Sequence, residues 1–217
     1  MSTLGLSYRP FWAIFVLYPV SFFRLLRHNE RGAPLKTSES LLKRVRQWDQ
    51  DALAEAYDQY GPAMYRYAYR LTGHAETAQE IVSDTFCRLL VALKNGGGPK
   101  QHLSAWLYRV EHNLVVDFYR RQPAQGPEPL DDVPEVAVPG LHEERILRRE
   151  EAERVRDALR LLTPLQQQVV ALRFLEGLNN EDVARCVERT VGAVKALQHR
   201  ALNSLRRILE EADEAQS

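Results

Sequence analysis

The residues best suited to chemistry lie on one predicted helix near the end of the chain. From Thr190 onward, apolar positions recur every three or four residues, and Lys195, Gln198, His199 and Arg200 fall between them. Cationic and amide side chains near the start of a helix can contact phosphates and base edges in the major groove of DNA. The same spacing also fits an amphipathic helix with a solvated basic face, and spacing alone favours neither interpretation.

No arrangement of residues indicates catalysis or metal binding. The HExxH, P-loop and GxSxG motifs are absent, and Cys87 and Cys186 lie far apart without a CxxC motif. We therefore expect no enzymatic activity, no catalytic residue, no cofactor, no metal and no small-molecule substrate. We also expect four histidines to lie on the surface or in loops: His74, His102, His112 and His142.

The elements that carry these residues are predicted to be helices. The clearest apolar stripe runs from Ala78 to Leu93 in steps of three and one, which is typical of one buried helix face. Another helix is predicted from about Ser104 to Arg121, with Trp106 on its core side. No stretch alternates with period two for long enough to form a strand, so the fold class is all-α.

Two helices whose predicted starts, at Asn180 and Thr190, lie close together in the sequence indicate a helix-turn-helix. Thr163 and Pro164 predict the start of one helix, Asn180 is predicted to cap a short second helix, and Thr190 can cap a third. Two capped helices separated by a few residues are typical of this motif, whose second helix enters the major groove.

Composition divides the chain into parts. The 217 residues carry 29 basic and 29 acidic side chains, which suits one or two ordinary domains. Residues 122–142 combine five prolines with an acidic block, a composition that predicts a flexible linker. The predicted parts are an extension at 1–37, a domain at 38–121, the linker at 122–142, a domain at 143–209 and an acidic tail at 210–217.

The extension contains an apolar run. Residues 11–23 lack charge, but 13 positions with Pro19 among them are too few for a membrane span, which needs about 20. One interpretation is an interfacial anchor in residues 11–26, with Arg24, Arg27 and Arg31 against anionic lipid. The favoured interpretation is that translation starts downstream of this run.

In chain order, these segments resemble the extracytoplasmic-function group of bacterial RNA polymerase sigma factors. AQEIVSDTFCRLL (78–90) is similar to the AEDLVQEVF-type helix of that family, and SAWLYRVEHNLVVDFYRR (104–121) is similar to its AWL-x-x-I-A-x-N-x-x-x-D-x-x-R-R stretch. Residues 162–202 resemble LP-x-x-x-R-x-V-x-x-L-x-x-x-E-G-x-S-x-x-E-I-A followed by S-x-G-T-V-K-S-R-L-x-R-A. Departures include Gln167 for Arg, Gln79 and Ser83 in the first helix, and Ala196 and Gln198 in the last.

The resemblance implies two small helical domains, a region 2-like bundle and a region 4-like helix-turn-helix, joined by the acidic, proline-rich linker. It also implies a cytoplasmic protein that binds core RNA polymerase and promoter DNA, both duplex and single-stranded, and an anti-sigma factor as a further partner. The non-core face of the first helix is then the polymerase-binding face, made of Gln79, Glu80, Ser83, Asp84 and Arg88.

Two sets of DNA-binding residues follow from the same resemblance. The minus-thirty-five element would be read by the last helix, through Thr190, Lys195, Ala196, Gln198, His199 and Arg200. The minus-ten element would be melted and held by the loop at 94–102 and by Asn113, Asp117, Tyr119, Arg120 and Arg121.

Two other functions fit parts of the sequence. A helix-turn-helix regulator that acts without polymerase would use only residues 143–209, but the preceding domain then offers no ligand-binding or phospho-acceptor motif. A membrane-bound interaction protein would depend on residues 11–26 being present in every translated product.

Overall fold

The computed structural model describes residues 39–121 and 142–214, and every regular element in these two ranges is a helix. This confirms the all-α prediction for the described residues. The apolar run at 11–23 and nearly all of the predicted linker lie outside them. None of the helices in the two ranges combines the length and the apolar character that crossing a membrane requires.

The first half consists of four helices: α1 (Glu39–Arg46), α2 (Gln50–Thr72), α3 (Ala75–Lys94) and α4 (Leu103–Arg121). Asp49 begins α2, because its carboxylate accepts a hydrogen bond from the Ala52 amide at 3.0 Å. Gly73 ends α2 in the left-handed region, at φ 80°. The stripe predicted on α3 is buried from Ala78 to Leu93 except for Phe86 and Leu90, which are half-buried. Trp106 on α4 packs half-buried against the core.

The second half contains α5 (His142–Arg160), α6 (Pro164–Val170), α7 (Asn180–Val187) and α8 (Val191–Glu214), and α6 continues into a π-helical turn (Ala171–Leu175). Thr163 caps α6 as predicted, in a reciprocal pair with Gln166. The cap predicted for α7 was wrong by one residue. Asn179, not Asn180, accepts the Asp182 amide at 2.8 Å.

Two element ends also differ from the sequence-based boundaries. Helix α5 begins at His142, the last residue of the predicted linker, and α8 continues to Glu214, into the predicted acidic tail.

A shared apolar core joins the two halves. Tyr67, Tyr108 and Val115 of the first half belong to the same buried cluster as Leu172 and Val183 of the second. Helix α4 is the main link, since it packs against α2 and α3 on one side and against α7 on the other. A second cluster, centred on Val45, Tyr60 and Leu107, lies within the first half. The described residues of the two halves therefore form one packed body.

Candidate nucleic-acid and protein interfaces

Helices α7 and α8 form the predicted helix-turn-helix. The turn between them has three residues, beginning with Glu188, which adopts a left-handed conformation at φ 51° and donates its amide to the Ala184 carbonyl. The Thr190 hydroxyl accepts the Ala193 amide at 3.2 Å, which confirms the predicted cap. Val194 and Ala201 are fully buried, so the opposite side of α8 faces away from the core.

Most of the residues predicted to read duplex DNA share that outer side of α8. Gln198 differs, because it is half-buried and its amide donates to the Asn180 side-chain oxygen at 2.7 Å. It holds α8 against α7 in this structure. The exposed members of the set are Thr190, Lys195, Ala196, His199 and Arg200.

The set predicted to hold melted DNA occupies the last two turns and a half of α4. Asn113, Arg120 and Arg121 are exposed, and Asp117 lies 3.8 Å from Arg120. Tyr119 is engaged on both its polar and its aromatic sides. Its hydroxyl donates to the Leu71 carbonyl, and the guanidinium carbon of Arg160 lies 4.4 Å from the centre of its ring.

The predicted polymerase-binding face lies on α3, opposite the buried stripe, and all of its members are exposed: Gln79, Glu80, Ser83, Asp84 and Arg88. Gln79 also borders a groove of about 430 Å³ between α2 and α3, where Tyr57, Pro62 and Tyr65 provide an apolar wall. The three predicted sets therefore lie on three different helices, and the structure does not bring them together into one site.

Several polar residues that the sequence did not predict as buried lie between the two halves. His112 is 2% exposed, so the prediction of a surface histidine was wrong. Its Nε2 atom donates to the Pro164 carbonyl at 2.9 Å, and its Nδ1 atom accepts from the Tyr67 hydroxyl at 2.9 Å. Glu176 is 0% exposed and lies 3.2 Å from Arg70. Helical spacing could have predicted that His112 is buried, because it lies one turn beyond the buried Tyr108 on α4.

Burial changes the proton affinity of these groups. It lowers the pKa of His112 to about 4, in keeping with a neutral ring that donates from one nitrogen and accepts at the other. Burial raises the pKa of Glu176, while Arg70 acts in the opposite direction. Tyr108 donates to the same carboxylate at 3.3 Å.

Helix α4 also holds the turn of the helix-turn-helix. Arg109 donates from Nε to the Cys186 carbonyl at 3.0 Å and from Nη1 to the Glu188 carboxylate at 2.6 Å. Both contacts lie at the end of α7, next to the left-handed residue that turns the chain into α8. The first half therefore supports the orientation of the predicted DNA-reading helix.

Comparison with known families identifies both halves. Residues 56–124 match the family model Sigma-70 region 2, and residues 158–207 match Sigma-70, region 4. The chain is 35% identical over 173 residues to the ECF RNA polymerase sigma factor BldN of Streptomyces coelicolor, a match that covers 78% of this chain and 64% of BldN. It is 26% identical over 179 residues to the ECF RNA polymerase sigma factor SigW of Bacillus subtilis, covering 78% of this chain and 95% of SigW.

A solved structure has the same fold. CnrH, in its complex with the cytosolic domain of CnrY, superposes with a TM-score of 0.58 at 22% identity. The match covers 79% of this chain and 96% of CnrH.

Proposed function

Because the chain belongs to the extracytoplasmic-function group of the sigma-70 family of RNA polymerase sigma factors, we propose that it binds core RNA polymerase and directs initiation at specific promoters. The observation that carries the proposal is the presence of regions 2 and 4 in one chain, each with most of its predicted contact residues exposed. A regulator that acts without polymerase is not favoured, since it gives region 2 no role.

The outer side of α8 is proposed to read the minus-thirty-five element. Lys195 and Arg200 are exposed cations in the first half of the helix, the part that approaches base edges in a helix-turn-helix. Arg200 suits a guanine edge or a phosphate, and Lys195 suits a phosphate. Gln198 contributes indirectly, by fixing α8 through Asn180.

The end of α4 is proposed to hold melted bases of the minus-ten element. Unpaired bases are held by stacking on aromatic or guanidinium planes and by hydrogen bonds to their edges. Asn113 can supply edge contacts, Tyr119 a stacking surface, and Arg120 and Arg121 phosphate contacts. In this structure the Arg160 guanidinium already stacks on the Tyr119 ring, so a base can stack there only after the guanidinium has moved away.

The outer face of α3 is proposed to bind core polymerase. Glu80 and Asp84 are one helical turn apart and exposed, which suits a basic partner surface. We propose no catalytic activity for the chain itself, since sigma factors confer promoter specificity on another enzyme. Its place is then in the cytoplasm, with the polymerase.

A protein that sequesters the chain is a further proposed partner. The supporting observation is that CnrH, which has the same fold, was solved with the cytosolic domain of CnrY bound. The family resemblance implies an anti-sigma factor in this role.

Affinity for core polymerase tests the proposal. The double variant Glu80→Lys, Asp84→Lys should bind core polymerase at least tenfold more weakly, because opposite charges across the interface become like charges. Glu210→Lys, which changes an exposed carboxylate on α8, should bind as the wild type does. Wild-type chain that fails to bind core polymerase contradicts the proposed function. Equal affinity for the wild type and both variants would remove this face of α3 from the interface.

A further inference from the structure

Glu111 is the most unusual buried group in the described part of the chain. It lies on α4, is 0% exposed, and neither of its carboxyl oxygens has a hydrogen-bond partner among the described residues. A buried carboxylate without a cation or a hydrogen-bond donor is very costly, so the neutral acid is the form that fits this site.

The charges around Glu111 favour the same form. Burial and the nearby carboxylate of Glu176 both raise its pKa well above the usual value. Arg70 is already bound to Glu176 at 3.2 Å, and Arg66 of α2 also acts to lower the pKa of Glu176. Removing the proton from Glu111 would therefore place a second negative charge near Glu176, on a carboxylate that has no hydrogen-bond partner among the described residues.

The charged groups near Glu111 come from some of the surrounding elements but not from all of them. All titratable side chains of α3 are exposed, and α6 has none. The charged and titratable groups around the two acids are Arg66, Tyr67 and Arg70 of α2, Tyr108, Arg109 and His112 of α4, Glu176 after the π-helical turn, and Cys186 of α7.

The site lies where the two halves meet. Tyr108 donates to Glu176, Arg109 to the Cys186 carbonyl, and His112 to the Pro164 carbonyl, so residues on both sides of Glu111 contact the second half. Separation of the halves would admit water to this face of α4. We propose that Glu111 is a proton-dependent clasp: the halves stay packed while its carboxyl is protonated and separate when it gives up the proton to solvent.

The sign of the pH dependence follows from the protons bound in each form. The packed form keeps a proton on Glu111 that the separated form loses above the ordinary carboxyl pKa of about 4.3. Raising the pH therefore favours separation, by up to about tenfold per pH unit for one proton, until Glu111 ionises in the packed form as well.

His112 acts in the opposite direction at lower pH. Its pKa is about 4 in the packed form, against 6.5 for a free ring, so acidification through this range favours separation. Glu176, whose pKa is raised, acts in the same direction as Glu111. The tyrosines and Cys186 have raised pKa values and titrate only at more alkaline pH. Between about pH 7, where a free imidazole is already neutral, and about pH 8.5, where a free thiol begins to ionise, His112 and Cys186 contribute little to the response.

Separation has a consequence that rests on the proposed function. Arg160 of the second half stacks on Tyr119 at 4.4 Å, which is where a melted base would stack. The packed form thus blocks part of the proposed minus-ten site, and ionisation of Glu111 would free it.

Distances between spin labels on the two halves test the clasp without DNA or polymerase, so its failure is distinct from failure of the proposed function. One label is attached to the exposed Cys87 on α3, and the other to a cysteine introduced by Glu210→Cys on α8. Cys186 is buried and is left in place. In the full chain, the long-distance population should grow from about pH 7 to about pH 8.5, by up to about tenfold per unit.

Three variants make the result specific to Glu111. In Glu111→Gln the neutral amide cannot ionise, so most of the growth of the long-distance population with pH should be lost. Glu111→Ala, which also removes the ionisable group, should give the same loss if the glutamine variant does not fold. Glu76→Gln, an exposed carboxylate on α3, should respond as the wild type does. An unchanging distance in the wild type, or an undiminished response in both Glu111 variants, would overturn the proposal.

Discussion

Lys195 and Arg200 have the same proposed role but different chemistry. Replacing either by alanine should weaken binding to duplex promoter DNA without unfolding the domain, because both side chains lie outside the apolar face of α8. Loss of a phosphate contact should reduce the salt dependence of log K by about 0.9 per contact. Loss of a base contact should instead cost about 1–3 kcal/mol at one base pair. Binding titrations over a range of salt concentrations and promoter variants distinguish the two.

Arg207→Ala is the matched control for these two variants. Arg207 is an exposed cation on the same helix, about two turns beyond Arg200, and is paired with Glu211 at 3.8 Å. The Arg207→Ala variant should leave the sequence specificity of DNA binding unchanged. Unaltered affinity and specificity in Lys195→Ala and Arg200→Ala would exclude this side of α8 from the groove.

Asn179 and Asn180 have different expected roles: Asn179 caps α7, and Asn180 helps to orient α8. Asn179→Ala should lower the free energy of unfolding by about 1 kcal/mol, because the Asp182 amide loses its acceptor. Asn180→Ala keeps the cap and removes the acceptor for Gln198, so it should affect DNA affinity more than stability. Urea unfolding together with DNA titration measures both effects. The reverse assignment of effects would show that Asn180 is the cap.

At the scale of helices, α4 and α8 should act at different steps of initiation. An Asn113→Ala, Tyr119→Ala variant should fail on duplex promoter, since flipped bases must recover a few kcal/mol of lost stacking from the protein. A template with a pre-melted bubble removes this demand, so transcription should largely recover on it while polymerase affinity stays unchanged. Equal loss on both templates would leave α4 as scaffold alone.

Helices were predictable from the sequence because their signals are local. The stripe from Ala78 to Leu93 and the Thr163 cap depend on residues within a turn or a few turns of one another. The packing between the halves depends on distant pairs: His112 and Pro164 are 52 positions apart, and Arg70 and Glu176 are 106 apart. Spacing carries no information about such pairs, which explains why His112 was placed on the surface and Glu111 was overlooked. The functional roles of the three surface sets remain predictions.

At the scale of the whole molecule, the ion pair between Arg70 and Glu176 should matter more than the surface pairs. Arg70→Met leaves a fully buried carboxylate without its cation and should lower the free energy of unfolding by up to about 3 kcal/mol. Adding Glu176→Gln should restore much of this loss, because the amide carries no charge. Urea unfolding of both single variants and the double variant gives the coupling free energy between the two side chains. Additive changes in the free energy of unfolding would show that the ion pair contributes nothing to stability.

Transcription in vitro tests whether the chain acts as a sigma factor. Core RNA polymerase is incubated with genomic DNA fragments, with and without this chain, and the 5′ ends of the transcripts are sequenced. Discrete start sites should appear only with the chain, and two shared sequence elements at fixed spacing should precede them. Lys195→Ala and Arg200→Ala should redistribute these starts, whereas Arg207→Ala should not. Transcripts that are identical with and without the chain, under conditions where it binds the polymerase, would contradict its function as a sigma factor.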